Sequence, residues 1–261
     1  MSQTAPHPAD QPGPGGPAGA SLDAAELAKF AAMAQAWWDP RGKFAPLHRL
    51  NPTRIAFIRD RAAARLGRDP LRPQPLAGVR LLDIGCGGGL ICEPMARLGA
   101  AVTGIDPVAR NIAVARSHAE ESGLAIDYRE ATVEELAAAT PPERFDVVLA
   151  LEVVEHVADL SAFIAACAAV LAPQGILVLA TINRTAKAFL LAVVGAEYIL
   201  GWLPRGTHDW RKFVRPSELA AALRGAGLTL DELTGVAYDP MAAAWRLSRD
   251  LDVNYMALAS R

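Results

Sequence analysis

Between residues 79 and 182 the chain alternates short apolar runs with helix-length segments, and this alternation narrows the fold more than any other feature. The runs are "VRLLDIG" (79–85), "AVTGID" (101–106), "AIDYRE" (125–130), "FDVVLAL" (145–151) and "GILVLATI" (175–182). "ICEPMARLGA" reads as a helix ending at Gly99, and the next helix runs from Pro107 to about Ser122. Strands spaced by single helices require right-handed crossovers, hence an α/β fold with a parallel, doubly wound sheet. "LTLDELTGVAYDP" and "WRLSRDLDVNYMALA" read as a final antiparallel pair, so a mostly parallel sheet of seven strands is expected.

The flanks are different in character. Residues 1–20 hold five prolines and four glycines and almost no large apolar side chain, the composition of a disordered tail. Ser21 is a plausible N-cap for "LDAAELAKFAAMAQAWW", where Leu22, Leu27, Phe30, Met33 and Trp37 recur at amphipathic spacing. "NPTRIAFIRDRAAARLG" reads as a second helix, opened by Asn51 with Pro52 at its first position. Residues 21–75 are thus expected to form N-terminal helices that cap a cofactor site of the main domain at 76–261. That domain carries an insertion at 186–213, built around the nearly all-apolar "AFLLAVVGAEYILGWLP" (188–204). This stretch is too short and too interrupted to span a bilayer comfortably. A helix starting at or just before Ser217 follows.

Bulk composition removes several classes. Net charge is −2 with scattered arginines, so no nucleic-acid footprint is visible. Cys86, Cys92 and Cys167 form no C-x-x-C pair and are odd in number, which fits reduced thiols better than a disulfide framework. No basic stretch precedes an apolar core near the N-terminus, so a cytoplasmic location is the expectation.

"LLDIGCGGGL" (81–90) places glycines where the first strand should turn into its helix. A dinucleotide fingerprint starting at Gly85 needs glycine at position 90, which is Leu90, and no Gly-Lys-Ser/Thr follows for a phosphate loop. The pattern present is Asp83, Gly85, Gly87 and Gly89. A carboxylate before the first glycine repels pyrophosphate but suits the ammonium of an amino-acid moiety. Asp106 ends the second strand, where a carboxylate can accept ribose hydroxyls. A cofactor with an α-amino acid at one end and a ribose at the other is S-adenosylmethionine. Glu130 or Glu134, after the third strand, stands where an acid can lie beside adenine.

On "LDIGCGGG", "VTGIDP", "FDVVLALEVVEHV" and "LAPQGILVLATINR" the chain resembles the class I S-adenosylmethionine-dependent methyltransferases, whose fold is Rossmann-like. "WWDPRGKFAPLHRLNPTRIAFI", "AVVGAEYILGWLPRGTHDWRKFVRP" and "DVNYMA" resemble, more narrowly, the ubiquinone-biosynthesis O-methyltransferase family. The resemblance implies methyl transfer to phenolic hydroxyls of polyprenylated benzene-ring intermediates, namely 2-polyprenyl-6-hydroxyphenol and 3-demethylubiquinol. It maps cofactor binding onto Arg54, Gly85, Asp106 and Leu151, the last standing where Met is common. Other small phenols or catechols are alternative acceptors. A non-catalytic scaffold, peripherally attaching other quinone-biosynthesis enzymes to a membrane, is the alternative outside enzymology.

Methyl transfer needs an ionised acceptor oxygen, and two groups of residues are placed to help. Glu152, Glu155 and His156 in "LEVVEH" are expected within one helical turn, where they could hold a Mg²⁺-type cation, or where His156 could act as base. His208 in "GTHDW" is a second candidate base. The apolar insertion, with Trp202 and the cations Lys187, Arg205, Arg211 and Lys212 around it, is expected to meet an anionic lipid surface at the inner face of the membrane. Burial against the sheet edge is its alternative.

Overall fold

A computed structural model of the chain describes residues 36–190 and 210–261. The expected tail, the helix opened by Ser21, most of the apolar insertion, Trp202, Arg205 and His208 lie outside the described residues.

One sheet organises the rest. Its strands are β1 (Arg80–Ile84), β2 (Ala101–Asp106), β3 (Asp127–Glu130), β4 (Phe145–Leu151), β5 (Leu171–Ile182), β6 (Thr229–Asp239), β7 (Ala244–Ser248) and β8 (Asn254–Ser260). Their order across the sheet is β3-β2-β1-β4-β5-β8-β6-β7. β1 to β5 pair in parallel, whereas β8, β6 and β7 join antiparallel. The helices of six or more residues are α1 (Ala45–Arg65), α2 (Cys92–Arg97), α3 (Ala109–Glu121), α4 (Val133–Ala138), α5 (Leu160–Val170) and α6 (Pro216–Gly225). Phe57 and Ile58 of α1, Met95 of α2 and Ile112 of α3 share one core with Leu81 and Leu149. Val133 of α4, Ile164 of α5 and Leu219 of α6 share the other with Leu82 and Val148. Helices therefore cover both faces, and strands β4 and β5 are apolar on both sides for that reason. Each fully buried Leu or Ile contributes roughly 1.5–3 kcal/mol of transfer free energy.

The sheet has eight strands where seven were expected. "WRLSRDLDVNYMALA" is two strands, because the chain reverses between Ser248 and Asn254. Aspartates build that reversal: Asp250 N–H donates to Ser248 Oγ at 3.0 Å, and Asp252 N–H to Asp250 Oδ1 at 2.9 Å. Gly235 of β6 leaves the turn its room, since a Cβ there would fall 1.8 Å from the Asp250 carbonyl oxygen.

Two helix boundaries also moved. α1 begins at Ala45, with a proline in its first turn, and runs straight through Pro52 rather than starting beside it. Phe57, Ile58, Ala62 and Ala63 are buried along its face, and this packing outweighs the one hydrogen bond Pro52 cannot donate. The segment after β4 is a turn up to Asp159, whose carboxylate caps α5 by accepting from Ala162 N–H at 3.0 Å. Glu152, Glu155 and His156 therefore precede the helix instead of sharing its first turn, and Glu152 has φ +56°, which no helix accommodates.

Candidate active site at the glycine-rich turn

Strand order reverses between β1 and β4, and in open α/β sheets ligands bind in the crevice beyond the strand ends at that point. The glycine turn leaves β1 there, Asp106 ends β2 beside it, and Leu151 ends β4 opposite with Glu152 next in the chain.

The turn's glycines are required by its own neighbours as well as by any ligand. Gly85, Gly87 and Gly89 have φ of +68°, +53° and +87°, the left-handed region that glycine enters without strain. A Cβ on Gly85 would fall 2.7 Å from Val153, and one on Gly89 2.2 Å from the Tyr128 hydroxyl. Gly87 and Gly88 lie under the Trp37 indole, with 2.5 and 2.4 Å for the same test. The turn thus approaches a tryptophan of its own chain.

Asp83 is 3% exposed and its Oδ2 accepts from the Cys92 thiol at 3.2 Å. Burial, reinforced by the nearby Asp106 charge, pushes its carboxyl up to about 7. A buried carboxylate so disfavoured gains most from a cation delivered by a ligand. Asp106 is also buried and raised by desolvation. Its Oδ2 accepts from Gly87 N–H at 3.0 Å, and its Oδ1 from Val108 N–H at 2.9 Å and Asn111 Nδ2 at 3.1 Å. Of about four acceptor positions on a carboxylate, one on Oδ2 is left. It suits a single ribose hydroxyl; accepting both requires one internal donor to give way.

Arg54 projects from α1 and is 4% exposed. Its guanidinium is ion-paired with Glu152 and close enough to Asp83 to act on its titration. Glu152 also meets Glu155, a fully desolvated carboxyl held well above the usual carboxylate range by burial and by the Glu152 charge. Glu155 Oε2 accepts from the Thr181 hydroxyl on β5 at 2.7 Å. Arg54, Asp83, the glycines, Asp106, Leu151 and Glu152 are therefore brought together. Among the described residues no three His, Cys, Asp or Glu side chains converge into a metal-holding group. What the turn holds is the Glu152–Glu155 carboxylate pair, with His156 half-buried on the same turn. Glu130 is exposed at the end of β3, in register with Asp106, and Glu134 sits half-buried in the first turn of α4.

Sequence reasoning missed Asn111 and Thr181, which hold Asp106 and Glu155, and it assigned Trp37 to a helix face when it lies in a turn. The paired tryptophans of "WWDP" were the visible signal. Cys86, Cys92 and Cys167 are all free and buried, as expected of reduced thiols.

Fold and site define a methyltransferase domain: the family model described as "Methyltransferase domain" matches residues 47–233. The same fold is shared by a magnesium protoporphyrin IX methyltransferase from Synechocystis with bound SAH. The TM-score is 0.58 at 19% identity, covering 90% of this chain and 94% of that one. Among full-length relatives, the ubiquinone biosynthesis O-methyltransferase of Chelativorans sp. (strain BNC1) is 58% identical over 92% of this chain and 94% of its own. That of Methylobacterium sp. (strain 4-46) is 56% identical over 94% and 98%, and that of Paramagnetospirillum magneticum 59% over 88% and 92%. The chain belongs to the ubiquinone biosynthesis O-methyltransferase family and is an O-methyltransferase.

Proposed function

We propose that this chain moves the methyl group of S-adenosylmethionine onto phenolic hydroxyls of polyprenylated benzene-ring intermediates in ubiquinone biosynthesis, both 2-polyprenyl-6-hydroxyphenol and 3-demethylubiquinol. The observation that carries the donor is the grouping of Asp83, Asp106 and Arg54 around the glycine turn. Asp83 meets the donor's ammonium, Arg54 its carboxylate, and the remaining acceptor on Asp106 a ribose hydroxyl. Leu151 offers an apolar wall, and Glu134 an acid on the adenine side.

S-adenosylmethionine supplies an already activated sulfonium methyl, so the protein's work is orientation and deprotonation of the acceptor. A phenol titrates near 10, and ionising it at pH 7 costs about 4 kcal/mol. Once the donor carboxylate engages Arg54, Glu152 is released to accept the phenolic proton, with His156 on the same turn and His208 as a further candidate base. Glu152, Glu155 and His156, expected from the sequence to hold a Mg²⁺-type cation, do not converge as a metal-holding group, so deprotonation falls to the side chains themselves.

The acceptor's tail favours collection at an anionic membrane surface. Phe189 and Leu190 are 41% and 58% exposed where the described chain enters the insertion, and Trp210 is 38% exposed where it returns. Lys187 is engaged by Asp250 at 2.5 Å and Asp252 at 3.3 Å, and the cations Arg211 and Lys212 follow Trp210 in the chain. Among the described residues no helix is long and apolar enough to cross a membrane.

The test is transfer of labelled methyl from S-adenosylmethionine to a catechol with and without a prenyl tail, repeated with EDTA. Turnover that depends on the tail is expected. No turnover with either acceptor sinks the reading, and tail-independent turnover reassigns the enzyme to another small phenol.

A further inference from the structure

Two neighbouring tryptophans hold the glycine turn from above. Trp37, lying on Gly87 and Gly88, donates its indole N–H to Asn111 Oδ1 at 2.9 Å, and Asn111 in turn holds Asp106. The Trp37 ring stacks on Phe44 with centroids 3.9 Å apart, and its carbonyl contacts His48 Nε2 at 2.9 Å. Trp38 donates its indole N–H to the Gly88 carbonyl at 2.8 Å. Its ring lies parallel to His118 at 3.5 Å with a 2° interplanar angle. His118 Nδ1 is 2.5 Å from Oε1 of Glu93, a carboxylate with 0% exposure whose other oxygen accepts from Arg97 at 3.0 Å. A carboxylate kept fully out of water is costly without partners. Glu93 uses one of its two partners to fix an imidazole that is 31% exposed and whose face meets Trp38. The contacts thus run unbroken from Glu93 through His118 and Trp38 to the backbone of the turn.

We propose that Trp37 and Trp38 form a cover over the donor site, and that His118, fixed by Glu93, is the positioning residue that holds the cover against the glycine turn. The proposal rests on the reading that S-adenosylmethionine binds at this turn. A cover fastened both to Gly88 and, through Asn111, to Asp106 contacts the turn and the ribose-side acid at once. It closes behind the donor and keeps water from the sulfonium. His118 itself touches neither donor nor acceptor; it acts through Trp38.

The experiment compares the full-length wild type with His118→Ala and His118→Phe. SAH affinity is measured by calorimetry, and KM for each substrate and kcat by steady-state assay. His118→Ala is expected to raise the Kd for SAH and the KM for the donor about tenfold, while kcat and the KM for the acceptor stay within twofold. His118→Phe keeps an aromatic face against Trp38 but forgoes the Glu93 contact, and is expected to recover part of that loss. Trp38→Phe, which keeps the ring but not the N–H to Gly88, gives a second arm should His118→Ala fail to fold, with a severalfold rise in Kd expected. Unchanged SAH affinity, or tighter binding, in these variants overturns the proposal, the latter because the tryptophans would then obstruct the site. So does a His118→Phe as weak as His118→Ala. A wild type that binds no SAH overturns the donor reading itself, which separates the two failures.

Discussion

Arg54, on α1, is ion-paired with Glu152, 98 residues away and just past the end of β4. The pair ties the N-terminal helix to the crevice and screens Glu152 from Glu155. Arg54→Ala leaves two carboxylates in contact without their cation. Because Glu152 is 25% exposed, the expected loss of stability is discounted to about 1–3 kcal/mol, read as a fall in thermal midpoint. Calorimetric SAH affinity is expected to fall about tenfold, and Arg54→Lys is expected to recover little of it, since a lysine cannot make a forked contact.

Donor binding is expected to depend on pH through Asp83. Its carboxyl rises from 3.8 to about 7 on folding, so the folded chain holds the extra proton between these values. Stability associated with this group is full below about pH 4 and is lost as pH rises through 7. The loss reaches about 4 kcal/mol at 1.36 kcal/mol per pH unit. Asp83→Asn is therefore expected to melt higher than wild type at pH 8 and to show no such slope. A ligand ammonium selects the ionised form, so wild-type SAH affinity should fall about tenfold from pH 8 to pH 6. The same titration on Asp83→Asn should be weak and flat.

Gly88 in the glycine turn and Gly123 after α3 separate steric from conformational demands. Gly88→Ala puts a methyl 2.4 Å from Trp37 and is expected to weaken SAH binding at least tenfold. Gly123→Ala, at φ +65° with open space around it, carries strain alone. It is expected to cost about 1 kcal/mol of stability and to leave affinity unchanged. Equal effects at both positions would remove the packing argument.

Phe189→Glu together with Leu190→Glu is expected to lower flotation with anionic liposomes severalfold while calorimetric SAH affinity holds. Unchanged flotation would place lipid contact elsewhere.

Much of this was legible because burial has a simple signature in parallel sheets. β2 and β4 fall on the runs read from the sequence, since strands covered on both faces must be apolar throughout. β5 begins at Leu171, before its apolar run, because pairing slips around Gly175, where Phe145 faces Leu171 but Val147 faces Ile176. The start of α1 was hidden by Pro52, a local breaker that tertiary packing overrides. Asp83, Asp106 and Arg54 could be located from spacing and resemblance. The pairing of Arg54 with Glu152, and of Asn111 with Asp106, depends on elements meeting across the crevice, which no local pattern encodes.

The proposal on which the rest depends is that the crevice between β1 and β4 binds the methyl donor through its acids. Calorimetric titration of SAH at pH 8 into wild type and Asp106→Ala, with thermal midpoints as the control for folding, tests it most directly. Saturable one-site binding by wild type and at least a tenfold loss in a folded Asp106→Ala are expected. Equal affinity in the two proteins would contradict it.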